Sequence, residues 1–304
     1  MEVPYEKGVG VWTIRNAVEG VQIFGGIGSG KTSGSGRLLA LKYLKAGFGG
    51  LVLTVKQDEK DTWKEYCKLT GRANDLVVLE PGGKHCFNFL QYEASHTNGQ
   101  QAITENIVDV LKTVIKAGEE KSGGKGEDAF WDKSLDMLLF NVVDLCKLAY
   151  DRVSVQEMYD IVLTSPRTKK DLEKTTEERA QNAFFKAFDR ACTKVIAKVT
   201  AWQERAPQAE LERMSNPEYF EEHISDYVPN YRVLKVLGQF FLETQLNLND
   251  KTRSVIDFMF SGFLFRLLRE PIYSLFCRGT STITPEYSLH GKDHPAEFTS
   301  QDLP

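Results

Sequence analysis

Residues 21–32 read VQIFGGIGSGKT, and this stretch constrains the predicted fold more than any other part of the chain. The apolar run at residues 21–25 predicts a β-strand, and the grouping of apolar residues over 31–45 predicts a helix. Between them the spacing G-x-x-x-x-G-K-[ST] is typical of a phosphate-binding loop when it lies between a strand and a helix. The sequence therefore predicts a strand, a glycine-rich loop and a helix in this order.

The loop contains the residue types that phosphate binding requires. Glycines let successive backbone N–H groups turn toward phosphate oxygens, and a helix N-terminus adds about half a positive charge. We expect the Lys31 ammonium to bridge the β- and γ-phosphates as the catalytic group, and the Thr32 hydroxyl to bind Mg²⁺. The residues expected to bind the nucleotide are Gly25, Gly26, Gly28, Ser29, Gly30, Lys31, Thr32 and Ser33. The alternative is an ordinary glycine turn that caps a helix.

Hydrolysis of a nucleotide needs an acid at the end of a second apolar strand, where it holds the magnesium. Glu80 follows the apolar run 76–79, but an ordinary strand end is the alternative. Asp144 is a second candidate, although its surroundings predict a helix in which it has a structural role. Neither a Walker B acid nor an arginine finger is identified, so the sequence leaves ATPase activity open. Residues 55–58 (VKQD) match the guanine-reading motif N-K-x-D only faintly and lie too close to the loop, which favours ATP over GTP.

The fold class follows from the order of the predicted elements. Apolar runs at 21–25, 51–55 and 76–79 alternate with predicted helices, and this order indicates βαβ units in a parallel sheet. From about residue 90 to residue 277 the periodicity becomes helical. We therefore predict an α/β fold with a parallel sheet and a large all-α insertion.

Three domains are expected from these changes in periodicity. Residues 1–150 form the N-terminal part of a P-loop nucleotide-binding core, and residues 150–247 form the all-α insertion domain. Residues 248–304 return to the core with a terminal helix and a polar tail.

Composition and charge are those of a soluble globular protein of 304 residues, with 41% hydrophobic and 26% charged residues. The net charge of −4 means that a nucleic-acid partner would have to meet a local basic patch.

Scattered cysteines without a C-x-x-C pair argue against a zinc site and a disulfide framework. The opening residues are no signal peptide, and the apolar run 255–268 contains Asp257 and Arg266, so no transmembrane segment is expected. These features favour a cytoplasmic location.

One predicted helix, residues 178–203, has two distinct faces. Its apolar face consists of Phe184, Phe188, Ala191, Cys192, Val195, Val199 and Trp202. Its second face, the basic stripe, consists of Lys186, Arg190, Lys194 and Lys198. These four residues recur at every fourth position and extend about 18 Å along the helix, so the stripe has the length to contact several phosphates of a nucleic-acid strand. The alternative is a solvated face, and Asp189 partly neutralises it.

Residues 25–37 (GGIGSGKTSGSGR), together with the preceding strand and a second strand that ends VKQDE, resemble the FtsK/HerA superfamily of ring-forming DNA motors. Within it the likeness is greatest to the conjugative type IV secretion coupling ATPases of the TraG/TraD kind. Weaker similarities lie at residues 87–90 (FNFL), at Phe130-Trp131 and at residues 252–256 (TRSVI). The resemblance covers most of the chain and ends at residue 291.

The resemblance implies a RecA-like P-loop NTPase core with an all-α insertion, assembly into a hexameric ring, and ATP-driven movement of DNA. It implies as partners DNA, further copies of the chain, and secretion or relaxase proteins. The family pattern continues after residue 292 into an apolar strand with the Walker B acid, whereas residues 293–304 read DHPAEFTSQDLP. Truncation before that strand is therefore expected, and so is the absence of the N-terminal membrane helices common in the family.

Three functions fit these features to different degrees. The first is a DNA-translocase-type ATPase of the conjugative coupling protein and FtsK/HerA class, acting in DNA transfer. The second is a truncated nucleotide-binding or interaction module that does not hydrolyse ATP. The third is a small-molecule kinase or GTPase. It agrees with the loop, but the long helical insertion and the absence of a guanine-reading motif argue against it.

Overall fold

The computed structural model describes residues 3–4, 11–12, 19–95, 104–120 and 129–284. Contacts between residues divide the chain into two compact units. The first unit comprises Met1–Cys86 and Thr282–Pro304, and the second comprises Phe87–Ser281. Among the described helices, none combines the length and the apolar character needed to cross a lipid bilayer.

Two helices and a short strand pair are the regular elements described in the first unit. Strand β1 (Val3–Pro4) pairs in antiparallel orientation with β2 (Val11–Trp12). A π-helical turn, Thr32–Gly36, leads directly into α1 (Arg37–Lys45). Helix α2 (Glu59–Leu69) packs against α1.

The predicted parallel sheet is wrong. Residues 21–25, 51–55 and 76–79, where strands are expected, form neither helix nor strand. No backbone hydrogen bond among the described residues joins any two of these segments. The antiparallel β1–β2 pair is the one strand pairing that the described residues make. The prediction of a RecA-like P-loop NTPase core with a parallel sheet is therefore contradicted.

The physical reason lies in the cover that a parallel sheet requires. Such sheets are stable when elements bury both of their faces, because their strands are apolar on both sides. In the described part of the first unit, Phe24, Leu51, Leu53 and Val55 are at least 83% exposed. The apolar runs have the composition of buried strands, but the described elements do not supply the surfaces that would bury them.

Arg72 joins the ends of the two helices in the first unit. Its Nη1 donates to the carbonyl oxygen of Phe48 at 2.6 Å and more weakly to that of Leu44 at 3.4 Å, just after α1 and at its last turn. Its Nε donates to Asp75 at 2.7 Å, and both side chains are less than 20% exposed. This contact fixes the loops after α1 and α2 to each other.

The second unit consists of helices joined by short connections, as the periodicity from about residue 90 onward predicts. In chain order they are α3 (Phe89–Ser95), α4 (Thr104–Glu120), α5 (Ala129–Tyr150), α6 (Val155–Thr164), α7 (Thr176–Gln181), α8 (Ala183–Gln203), α9 (Gln208–Met214), α10 (Pro217–Tyr227), α11 (Pro229–Gly238), α12 (Asp250–Leu267) and α13 (Ile272–Phe276). Short 3₁₀ segments lie at Lys169–Glu173 and Gln245–Asn247, and a π-helical segment, Gln239–Thr244, continues α11.

Helix α5 is the most enclosed element of the second unit. It is apolar on nearly every side, and it contacts α4, α6, α8, α11 and α12. The side chains of α5 that are at most 1% exposed are Leu138, Leu139, Val142, Val143, Leu145, Cys146 and Ala149. Burial of a leucine or valine contributes about 1.5–3 kcal/mol, so this helix is a main source of the stability of the unit.

Asn88 joins the beginning and the end of the second unit. Its Nδ2 donates to the carbonyl oxygens of Cys277 at 3.2 Å and Gly279 at 2.8 Å. Its backbone N–H donates to the hydroxyl of Ser281 at 3.0 Å, although the two residues lie 193 positions apart. Asn88 is 6% exposed, and each of these bonds satisfies a polar group that is withdrawn from water.

Arg253 and Asp257 form a buried ion pair within α12, at 3.6 Å, and hydrogen bonds of Arg253 join this helix to the end of α6. Arg253 and Asp257 are 3% and 4% exposed. Arg253 donates to the carbonyl oxygen of Pro166 at 2.5 Å and to the hydroxyl of Ser165 at 2.8 Å. Arg167 donates to Asp257 at 2.7 Å. Burial lowers the pKa of Arg253 and raises the pKa of Asp257, while the attraction between the two charges opposes both shifts and Arg167 further supports the ionised Asp257.

A carboxylate begins the 3₁₀ segment Lys169–Glu173. Asp171 accepts hydrogen bonds from the backbone N–H groups of Thr168 at 2.9 Å and Arg167 at 3.0 Å, and from the Thr168 hydroxyl at 3.0 Å. Partial burial alone would raise the pKa of Asp171, but these bonds and the nearby Lys174 ammonium lower it to about 2. The ionised carboxylate is therefore the form that stabilises this turn.

We predict that Arg253→Met lowers the free energy of unfolding by about 3 kcal/mol, because it removes the bonds to Pro166 and Ser165 and leaves Arg167 alone to offset the buried Asp257 carboxylate. Urea denaturation followed by circular dichroism measures this loss. The matched control is Arg266→Met, an exposed arginine of the same helix, which should change the stability by less than about 0.5 kcal/mol. Equal losses in the two variants would show that the buried pair contributes nothing specific.

We predict that Asp171→Asn lowers the stability by about 1 kcal/mol at pH 7, because a charged turn acceptor is lost. The pKa of Asp171 is about 2 in the folded state against an ordinary 3.8, so its contribution is complete above about pH 4 and disappears as the pH falls through about 2. The difference between parent and variant should therefore shrink in denaturation curves recorded at pH 2. A difference that stays constant from pH 7 to pH 2, or that Glu173→Gln reproduces, would contradict this assignment.

Candidate functional site

Residues 25–33 form an exposed loop that turns at two glycines. Gly28 and Gly30 have φ values of 77° and 78°, in the left-handed region that residues with a Cβ rarely adopt. The amide of Ser29 donates to the carbonyl oxygen of Gly26 at 3.3 Å and closes the first bend. The backbone therefore requires the glycines at positions 28 and 30.

A wide helical turn follows the loop. In the π-helical turn Thr32–Gly36, the amide of Gly36 donates to the carbonyl oxygen of Lys31 at 2.8 Å. A Cβ at position 36 would lie 2.9 Å from that oxygen, closer than real Cβ atoms approach a backbone atom. Gly36 is thus needed for the wide turn, which carries the chain from the loop into α1.

The side chain of Lys31 folds back onto the loop. Its Nζ donates to the carbonyl oxygens of Gly25 and Gly26, each at 2.6 Å. Lys31 is half-buried, whereas the loop residues before it are exposed. Two backbone carbonyls therefore hold the ammonium against the loop, where it meets solvent.

The loop also contains backbone donors that have no partner among the described residues. Within the described part of the chain, the amides of Gly30, Lys31 and Thr32 have no hydrogen-bond acceptor. Amides at the start of a helix have no partner inside the helix and carry the positive end of its dipole. Such amides can bind the oxygens of a tetrahedral anion, and the Lys31 ammonium belongs to the same loop.

The sequence-predicted binding residues occupy the loop and the first helical turn. Lys31 contacts the backbone of Gly25 and Gly26, and Thr32 and Ser33 are exposed at the start of the turn. The assignment of these residues to ATP and Mg²⁺, including the catalytic role of Lys31, stays a prediction. The described residues contain no cluster of three or more His, Cys, Asp or Glu side chains that could hold a metal without a ligand from elsewhere.

Both candidate acids have partners of their own. Glu80 accepts a hydrogen bond from the Lys60 ammonium at 2.7 Å, in a pair that is about 40% exposed on both sides. Asp144 lies in α5 and accepts from the Thr104 hydroxyl. Lys147 donates to the same hydroxyl at 3.0 Å. Asp144 is therefore a helix residue in a polar network, as its surroundings in the sequence predict.

The basic stripe lies on α8, and its members differ in what they contact. Lys194 pairs with Asp151, and the Arg190 guanidinium lies 5.4 Å from the ring centre of Tyr150. Lys186 and Lys198 are exposed. Asp189, expected to neutralise the stripe, is instead bound by both the Nε and Nη2 of Arg179, with the Nε at 3.0 Å. The acid that offsets part of the stripe is therefore Asp151, through Lys194, instead of Asp189.

Trp202 does not belong to the apolar core, although the sequence places it on the apolar face of its helix. It is half-buried, and its ring lies 4.7 Å from that of Tyr227, with 30° between the planes. The sequence signal for this arrangement is the spacing of four between Lys198 and Trp202, which puts them on the same side of the helix. The partner Tyr227 has no comparable signal because it comes from another helix.

Comparisons of the chain with protein-family models, with curated proteins and with solved structures found no match in any of the three. The loop geometry therefore carries the functional interpretation, and membership of the FtsK/HerA superfamily is a proposal.

Proposed function

We propose that the chain binds the triphosphate of ATP with Mg²⁺ through residues 25–33. The observation that carries this proposal is that one loop holds both the Lys31 ammonium, bonded to Gly25 and Gly26, and the amides of Gly30, Lys31 and Thr32, for which the described residues supply no acceptor. Phosphate oxygens take the same kind of donor, and hydrogen bonds to a charged group contribute about 1.5–3 kcal/mol each. A helix N-terminus and two left-handed glycines are what a backbone cradle for a phosphate needs.

The contacts of Lys31 suggest how the loop accepts its ligand. The ammonium is held by two neutral carbonyls, and a phosphate offers it a negative charge in their place. The exchange is favourable because a charge-assisted bond to an anion is stronger than a bond to a neutral carbonyl. Lys31 would thus neutralise the triphosphate, while the loop amides orient it.

Thr32 is the residue of the loop that fits a magnesium ion. Magnesium takes oxygen ligands and commonly combines a few protein oxygens with substrate phosphates and water. The Thr32 hydroxyl is exposed directly after Lys31, at the start of the helical turn. The ion would supply positive charge to the phosphates; the described residues support no assignment of a carboxylate ligand.

We further propose that the nucleotide serves a DNA-translocase-type ATPase of the conjugative coupling protein and FtsK/HerA class. The sequence resemblance and the basic stripe on α8 support this proposal. DNA, further copies of the chain in a ring, and secretion or relaxase proteins are its proposed partners, and the cytoplasm is its proposed location.

A nucleotide-binding or interaction module that does not hydrolyse ATP is the second candidate function. The contacts of both candidate acids favour this function, because Glu80 is paired with Lys60 and Asp144 is hydrogen-bonded to Thr104. ATP turnover that DNA stimulates would favour the translocase, and binding without turnover would favour the module.

Lys31→Ala should weaken the binding of ATP–Mg²⁺ about ten- to hundredfold, because one charge-assisted bond to phosphate is removed. Isothermal titration calorimetry measures the affinity. Lys45→Ala removes an exposed lysine at the far end of α1 and should bind like the parent. Parent-like affinity in the Lys31 variant would refute the assignment of the loop.

Thr32→Ala should reduce the gain in ATP affinity that Mg²⁺ provides, while affinity without the ion changes little. The reason is that the hydroxyl is expected to contact the ion and the backbone amide the phosphate. Titrations in Mg²⁺ and in EDTA measure this difference, and Thr32→Ser, which keeps the hydroxyl, is the control. An equal loss under both conditions would assign Thr32 to the phosphates instead of the ion.

A further inference from the structure

A cavity of about 370 Å³ lies at the end of the basic stripe. Helix α8 and the residues after it contribute Lys198, Ala201, Trp202 and Arg205, and the junction of α10 and α11 contributes Tyr227, Val228, Pro229 and Asn230. Trp202 lies one helical turn beyond Lys198, so the cavity continues the line of the stripe along the same side of α8.

The aromatic pair in this cavity remains open to solvent. Tyr227 is 46% exposed, and Trp202 is half-buried. Their ring centres lie 4.7 Å apart with 30° between the planes, so the rings pack against each other, and the exposure of both side chains shows that neither ring is enclosed. Aromatic pairs of a core, such as Phe184 with Phe241, are buried on all sides. An exposed aromatic surface is suited to stacking with a planar ligand.

Charges of both signs lie around the pair, and the cations among them include Lys198 and Arg205 of the cavity lining. Among the described residues, Lys198 and Arg205 have no ion-pair partner, and neither does Lys186 further along the stripe. Desolvation raises the pKa of Tyr227, and the carboxylates of Glu210 and Asp226 raise it further. Arg213 pairs with Glu210 at 3.5 Å, whereas Asp226 and Glu204 are exposed to solvent. The cations that line the cavity are thus available to an anionic ligand.

We propose that this cavity binds an unpaired nucleobase of a single-stranded nucleic acid, with the base stacked on Trp202 and Tyr227 and the flanking phosphates on Lys198 and Arg205. Aromatic faces with cations beside them bind single strands because every base has a π-face and every link has a phosphate. A duplex does not fit this chemistry, since its base faces are covered by stacking. The amide of Asn230 can both donate to and accept from a base edge.

The proposed function involves DNA, and the cavity is the place where we propose that a nucleic-acid strand binds. The proposal rests on the proposed function only in taking the ligand to be a nucleic acid. It needs no nucleotide at Lys31, which lies in the other unit. The two proposals can therefore fail independently.

The test measures the affinity of the full chain for a fluorescein-labelled oligo-dT of about 20 nucleotides by anisotropy. Trp202→Ala should weaken binding about tenfold, and Trp202→Phe, which keeps an aromatic face, should weaken it less. Ile196→Ala is the matched control, because Ile196 is 62% exposed on the same helix. The combined variant Lys198→Gln, Arg205→Gln should lower the salt slope of binding by about 0.7 for each phosphate that the variant no longer neutralises.

Two further readouts separate stacking from folding and from the loop. Oligo-dT should quench tryptophan emission in the parent, and the quench should be lost in Trp202→Phe even where affinity is largely kept. Lys31→Ala should bind oligo-dT like the parent, and Trp202→Ala should bind ATP–Mg²⁺ like the parent. The inference would be overturned if Trp202→Ala bound oligo-dT like the parent, or if Ile196→Ala lost as much affinity. It would also be overturned if a duplex bound as tightly as oligo-dT and its affinity did not change in Trp202→Ala.

Discussion

Helix α5 has to be surrounded, and the second unit depends on this constraint. A helix that is apolar on nearly every side is stable in water only when other elements cover it. Helices α4, α6, α8, α11 and α12 supply that cover. Helix α8 does so through Phe184, Ala191 and Val195, each at most 1% exposed. Its outer side, with the basic stripe, is thereby held toward solvent, so the packing of the core determines where the charged surface lies.

Local sequence was sufficient to predict helices where the contacts are local. The phosphate-loop interpretation also depends on residues within a few positions of each other, since Lys31 bonds to carbonyls five and six positions away, and it stays a prediction. The helical periodicity after residue 90 is equally local. The ends of the helices were less predictable. The helix expected over 178–203 is interrupted at Asn182, because its side chain accepts a hydrogen bond from the Phe185 amide at 3.1 Å and donates one to the Thr164 carbonyl at 2.9 Å.

Features that join distant parts of the chain could not be predicted in this way. The apolar runs at 21–25, 51–55 and 76–79 indicate strands, but pairing also requires a neighbour and cover on both faces, which the described residues do not supply. The buried pair of Arg253 and Asp257 depends on the end of α6, 87 positions earlier. The pairing of Trp202 with Tyr227 depends on how α10 meets α8. Each of these is a property of the packed unit, and no periodicity encodes it.

The bonds of Asn88 have a mechanical consequence for the helical unit. They connect its first residues to its last, and the backbone of Thr282 donates to Cys86 at 2.9 Å immediately outside it. A force that pulls on the chain at Cys86 and Thr282 would act first on these hydrogen bonds, which share the load, and only then on the helices. The two ends of the unit are thus held together, so the distance between Cys86 and Thr282 stays short although many residues lie between them in the sequence.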